Sequence, residues 1–218
     1  MDPTPHLDEL DTLFGPVAVM DLDQRGLVPS FTAVDRPVTE GAADRIAGAL
    51  LGAIAGNALG LPTRHLTPHE VQERFGPVRG LMQPTRRVPR GALGAEGRLA
   101  VTWAGALHRK GREAAPALAD RLAHGRPRHL RGPGQAIVET IDRLGQGAPW
   151  YAAGPDSFGN GALLRSVADG ARWVTDPAWR PRSAALGCLV THAHPRAVAA
   201  SVVLAEMVAA GVADPDAL

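Results

Sequence analysis

Between residues 43 and 58 the apolar side chains Ile46, Leu50, Leu51, Ile54 and Ala58 recur at intervals of three and four, with alanine and glycine filling most positions between them. That period lays one apolar stripe along an α-helix, and the small residues around the rest of the cylinder predict a helix packed closely on several sides. The same period returns over 99–109, 114–123, 133–144 (Ile137, Ile141 and Leu144 on one face), 161–173 and 183 to about 210, the last interrupted near Pro195, whose ring cannot sit inside a helix. Thr67, Pro68 and Glu70 together form a helix start, with an N-cap, a proline in the first turn and a glutamate three residues on, so a short helix should end near Phe75. Alternation with period two is confined to 17–20 and 27–33. The pattern defines an all-α chain.

With 218 residues, 45% of them apolar and 21% charged, the chain is long enough for one core-bearing domain. The longest apolar runs, 46–55 and 197–212, fall short of the ~20 residues of a membrane span, so no membrane association is expected. Residues 1–24 carry six acids and no Lys or Arg, unlike a secretory leader, and a cytoplasmic location is the expectation. Net charge is +1, which leaves nothing global to draw the chain to nucleic acid. The single cysteine, Cys188, lies in an apolar run and reads as a small buried hydrophobe rather than a thiol with chemistry.

Residues 1–40 stand apart as an acidic, Pro-rich extension without helical period, preceding a helical domain over 41–218. Residues 82–94, which hold Arg86, Arg87 and Arg90 among prolines, read as a loop. At the far end Gly211 is a candidate helix stop, and Asp214, Pro215 and Asp216 resemble a start with no helix behind it, as if the helical architecture were incomplete.

The segment Ser157-Phe158-Gly159-Asn160-Gly161, just before a helical run ending the motif at Leu164-Arg165, is the strongest candidate site. Glycines on both sides of an asparagine let backbone amides approach an anion without a Cβ in the way. Each residue also has a plainer role open to it. Asn160 can serve a left-handed turn, Ser157 can cap the next helix, and Arg165 can pair with Asp169 one turn on. His192 and His194 form a bare His-x-His, a weak signal for a metal, and Glu139 with Asp142 reads as a solvated helix face.

Taken together, three stretches resemble the ADP-ribosylglycohydrolase family. Asp44 through Gly52, followed by Gly56-Asn57-Ala58-Leu59-Gly60, is similar to its opening helix; Gly154 through Gly161 with Leu164-Arg165 is similar to its Ser-x-Gly-Asn-Gly loop; Thr191-His192-Ala193-His194-Pro195 is similar to its Thr-His-x-His-Pro segment. The resemblance runs from about residue 43 to the C-terminus. It implies a compact all-helical fold and, in working members, a pair of magnesium ions that help cleave the bond to ADP-ribose.

The resemblance also marks departures. Asn57 stands where the family has the aspartate of Gly-Asp-Ala-Leu-Gly, and Arg64 where an acid commonly follows. Gly94-Ala95-Glu96-Gly97 aligns with the family's Thr-Asp-Asp-Thr, which leaves Glu96 as a remnant, and no Asp-x-Asp-Thr follows near the C-terminus. One glutamate cannot organise two magnesium ions, which demand near-octahedral oxygen coordination, and an arginine adds a permanent positive charge. The expectation is a family member without hydrolytic activity, and hence with no cofactor, that binds ADP-ribose or an ADP-ribosylated partner. Ser157, Phe158, Gly159, Asn160, Gly161, His192 and Arg64 would hold the ligand, with Arg86 or Arg87 assisting. Alternatives are an active magnesium-dependent ADP-ribosyl hydrolase, and an immunity-type interaction protein that uses the acidic arm. A homodimer or a partner covering helices left bare at the C-terminal side is also expected.

Overall fold

The structure, a computed structural model, describes residues 38–83, 86–125, 130–214 and 216. The acidic extension before residue 38 and its two strand candidates, 17–20 and 27–33, lie outside the described residues. Among the described residues eight α-helices follow one another: α1 (Ala42–Gly60), α2 (Pro68–Phe75), α3 (Ala95–Lys110), α4 (Ala114–His124), α5 (Gln135–Gly145), α6 (Leu163–Arg172), α7 (Arg180–Leu189) and α8 (Pro195–Ala213). No sheet occurs among the described residues, so the all-α expectation holds.

Local chemistry explains the boundaries. Thr67 and Glu70 form the expected capping box at α2: Thr67 accepts from the Glu70 amide and the Glu70 carboxylate accepts from the Thr67 amide at 2.7 Å. Helix α3 starts four residues before the expected 99, because Gly94 takes an extended N-cap conformation and Ala95 and Glu96 join the first turn. The predicted break near Pro195 is real: Pro195 occupies the first turn of α8, and the His194 Nδ1 caps it by accepting from the Arg196 amide at 3.1 Å. Gly211 does not stop α8, which runs on to Ala213, since the last turn is held from outside. Arg45 Nε donates to the Val212 carbonyl at 2.7 Å and Thr39 Oγ1 to that of Ala213 at 2.8 Å, so the start of α1 satisfies the end of α8.

Helix α6 is the hub, packed against α1, α3, α7 and α8, with every residue from Arg165 to Ala171 buried. Two glycines permit the closest approaches. A Cβ on Gly170 would stand 2.4 Å from the Ala205 carbonyl oxygen of α8, and one on Gly187 would stand 2.8 Å from the Trp103 ring of α3. At the centre, Asp169 of α6 accepts from Trp103 Nε1 at 2.9 Å and from Ser183 Oγ at 2.5 Å, and Ser183 in turn accepts from Trp173 Nε1 at 3.0 Å. A pair of the buried Arg180 with the partly exposed Glu206 joins α7 to α8 through two bonds of 2.9 and 2.7 Å.

Helix α1 departs from expectation. Instead of packing on several sides it has Ala58 as its one buried residue, while Leu50 touches the core and Leu51 stands 70% exposed. The stripe at 46, 50, 54 and 58 does face the bundle, but the alanines and glycines on the opposite side face outward. Two stretches, Ala42–Thr63 and Pro195–Ala213, are long and apolar enough by length and composition to cross a membrane, so the runs 46–55 and 197–212 belong to longer apolar helices than the sequence suggested. In α8 much of that apolar surface belongs to the core, where Val198, Val202 and Ala205 are fully enclosed.

Candidate functional site

The end of α1, the start of α3 and the loop before α6 converge on a cleft of about 430 Å³. Its walls are Gly56, Asn57, Gly60, Leu61 and Arg64 from the first, Gly94 and Glu96 from the second, and Asn160, Leu163 and Leu164 from the third. Sequence separations of up to about a hundred residues are thereby closed around one space.

At one end the residues that differ from the family pattern bond to each other. Asn57 Oδ1 accepts from the Gly94 amide at 2.9 Å, which ties α1 to the first turn of α3. The same amide oxygen would lie 2.3 Å from a Cβ on Gly97, so only glycine fits there. Arg64 grips Glu96 through two bonds, Nη1 to Oε2 at 3.2 Å and Nη2 to Oε1 at 3.1 Å. Nη1 also donates to the Gly132 carbonyl at 2.5 Å, a contact with a loop that sequence reasoning did not bring to the site. The charges of Arg64 and Glu96 therefore cancel, and both Nη1 protons are occupied. Arg64 keeps Nε and one Nη2 proton for anything else.

The glycine loop reaches the opposite wall through Asn160, while Ser157, Phe158, Gly159, Gly161 and His192 are not among the residues that line the cleft. Neither Gly159 nor Gly161 has a positive φ, and Asn160 opens a short 3-10 turn over Asn160–Ala162, so the left-handed reading of Asn160 does not hold. The glycines are needed for room. A Cβ on Gly161 would sit 3.0 Å from the His192 ring, and one on Gly154 would meet the Leu189 carbonyl oxygen at 2.2 Å. Ser157 does not cap α6; its hydroxyl accepts from the Gly159 amide at 3.3 Å and shapes the loop itself. Phe158 is 74% exposed, with one edge against the His194 ring at a centroid distance of 5.6 Å.

Beneath the loop lies a polar core. Arg165 does not make the surface pair with Asp169 considered for it; it is buried and donates to Thr191 Oγ1, which lies 2.8 Å from His192 Nδ1. Burial lowers the Arg165 guanidinium to about 10 and raises the Asp169 carboxyl to about 7, against the bonds donated by Ser183 and Trp103 and the charge of Arg165. Burial, with Arg165 adding repulsion, holds the His192 imidazole down at about 4, so it is neutral at physiological pH. Burial likewise raises the Cys188 thiol, consistent with an inert hydrophobe.

Several sequence candidates fall elsewhere. Arg86 and Arg87 are exposed and do not line the cleft. Glu139 pairs with Arg143 one turn on, in keeping with a solvated face, and Asp142 adds no second acid to it. His194 is a helix cap rather than half of a metal pair. Thr191 is a site residue that sequence reasoning missed; the signal for its role is its place directly before the histidine, which becomes informative once Arg165 points at it.

An all-helical bundle carrying a cleft between the opening helix and a glycine loop defines the class. The model of the ADP-ribosylglycohydrolase family matches residues 39–218, and the chain belongs to that family. Among solved structures the chain is similar to an ADP-ribosylglycohydrolase-related protein complex, at 24% identity and a TM-score of 0.65. That match covers 80% of this chain and 58% of the other, so the chain spans less than two thirds of that neighbour's length. No functionally curated protein matches the sequence.

Proposed function

We propose that this protein binds ADP-ribose, or a partner bearing it, in the cleft between α1, α3 and the glycine loop, without hydrolysing it. The observation that carries the reading is the Arg64–Glu96 bridge, which occupies the end of the cleft where the family would place metal ligands. Two magnesium ions require several hard oxygen donors free to coordinate. Here one carboxylate is already engaged by a guanidinium, and the Asn57 side-chain oxygen is engaged by a backbone amide. The donor set at this end does not fit the metal pair, and no step is routed through it.

The opposite wall keeps ligand-holding chemistry. Asn160 offers an amide on the cleft wall, and beside it in the loop Ser157 carries a hydroxyl and Phe158 an exposed aromatic face. The two spare N–H groups of Arg64 supply donors toward a phosphate oxygen, at reduced net charge. Titration calorimetry with ADP-ribose tests this: heat is expected, with no release of ADP-ribose from a modified arginine or serine peptide in the presence of magnesium. Absence of heat at millimolar ligand would sink the proposal. Magnesium-dependent release would instead establish the second reading, an active hydrolase completed by chain outside the part matched here, which the 58% coverage of the structural neighbour keeps open.

The outward face of α1, with Leu51 at its centre, supports a proposal of self-association or of a covering partner. Light scattering over a concentration series measures it, and a monomer throughout argues against a second copy.

A further inference from the structure

The polar core under the glycine loop contains a hydrogen-bond chain whose direction can be worked out from donor and acceptor capacities alone. Arg165, Thr191 and His192 are all buried, at 1%, 0% and 3% exposure. A guanidinium can only donate, so Thr191 Oγ1 is the acceptor in its bond from Arg165 Nη2. That leaves the hydroxyl one proton to place. The acceptor within its reach among the described residues is His192 Nδ1, at 2.8 Å. If Nδ1 carried a proton instead, the hydroxyl proton would be stranded without an acceptor in a fully enclosed position. A doubly protonated ring would in addition put a second cation next to the Arg165 charge. Nδ1 is therefore bare, and the proton of the neutral ring sits on Nε2.

Nε2 faces the loop. Ideal Cβ positions on Gly161 and Gly159 would lie 3.1 and 3.6 Å from it, and Asn160 between them lines the cleft. No hydrogen bond among the described residues uses this nitrogen. We propose that Arg165 and Thr191 are positioning residues that lock His192 as its Nε2–H tautomer, so that a fixed, uncharged N–H donor is turned toward the glycine loop, beside Asn160 of the cleft wall, for an acceptor oxygen of a ligand seated against that loop. The ligand half of this statement rests on the binding reading given above; the tautomer lock does not. The glycine at 161 then serves the histidine rather than the ligand, and the lock excludes His192 as a base at Nε2.

The tautomer can be read directly by long-range proton–nitrogen correlation on histidine-labelled protein at neutral pH. The expected pattern for His192 is a pyridine-like Nδ1 and a pyrrole-like Nε2. The reverse pattern, averaged nitrogens or an imidazolium would overturn the lock. Thr191→Val, checked for folding by its amide spectrum, should average or reverse the pattern, and Thr191→Ser, which restores the hydroxyl, should recover it. An unchanged pattern in Thr191→Val would also overturn the proposal; should that variant not fold, the wild-type and Thr191→Ser spectra still decide it. In calorimetry with ADP-ribose, Thr191→Val should bind about tenfold more weakly than wild type and Thr191→Ser close to normally. A wild type with the expected nitrogen pattern but no ADP-ribose heat leaves the lock standing and removes the ligand reading. Binding with the wrong tautomer does the opposite.

Discussion

Arg64 and Glu96, thirty-two positions apart, meet in a two-bond guanidinium–carboxylate bridge at 3.1 and 3.2 Å, half-shielded from solvent at the end of the cleft. Each residue alone would charge the cleft; together they leave it near neutral there and fix α3 to the chain leaving α1. An arginine in place of an acid needs a partner there, and the remaining glutamate supplies it.

The first prediction follows from that pair. Magnesium at up to about 10 mM should leave the melting temperature of the wild-type protein unchanged, because a ligand stabilises only the state that binds it. In the double variant Asn57→Asp with Arg64→Asp, two new carboxylates join Glu96, and magnesium should raise the melting temperature. Differential scanning fluorimetry reads both, and a magnesium-stabilised wild type would contradict the reading of the site.

A second prediction concerns two glycines in different surroundings. Gly48→Ala places a methyl in open space on an exposed helix and should stabilise by about 0.5–1 kcal/mol. Gly170→Ala drives a methyl to 2.4 Å from the Ala205 carbonyl oxygen and 2.8 Å from Val208 Cβ. The α6–α8 crossing must open, at a cost of about 2–3 kcal/mol. Urea midpoints of the two variants should move in opposite directions.

The pH dependence of stability has two opposed parts. His192 is held at about 4 against an ordinary 6.5, so its contribution is whole above 6.5 and is lost as pH falls toward 4. Asp169 is raised to about 7 from 3.8, so its contribution is whole below 3.8 and is lost as pH rises toward 7. Over the shared window they offset each other. Asp169→Asn should expose a loss of stability of about 3 kcal/mol on acidification and His192→Gln a loss of about 4 kcal/mol on raising the pH, each across its window by denaturant titration at stepped pH. Equal slopes in wild type and both variants would refute this account.

A last prediction separates the two sides of the loop. Phe158→Ala removes an exposed ring and should leave the melting temperature within a degree or so while weakening ADP-ribose binding by about 1 kcal/mol. Gly161→Ala pushes a methyl against the His192 ring at 3.0 Å and should lower both stability and affinity. Calorimetry and thermal melts on the same samples distinguish them.

How much of this was legible beforehand varies with the physical range of each feature. Helix period, the Thr67–Glu70 capping box and the break at Pro195 are local, governed by dihedral limits and by side chains a few residues apart, and the sequence alone determined them. It also marked Asn57, Arg64 and Gly94-Ala95 as departures from the family pattern, with Glu96 as the remnant. What it could not contain was direction in space. The small residues of α1 suit tight packing and solvent alike, and among the described residues none covers Leu51 on its outer side, which stands exposed. Arg165 and Asp169 have the spacing of a surface pair, yet α3, α7 and α8 close over them and turn one toward Thr191 and the other toward Trp103 and Ser183. The bonding of Arg64 to Glu96 and Gly132 likewise depended on three distant segments meeting. Contacts between residues far apart in the chain depend on the packing of whole helices, and that is settled only when the entire core is assembled.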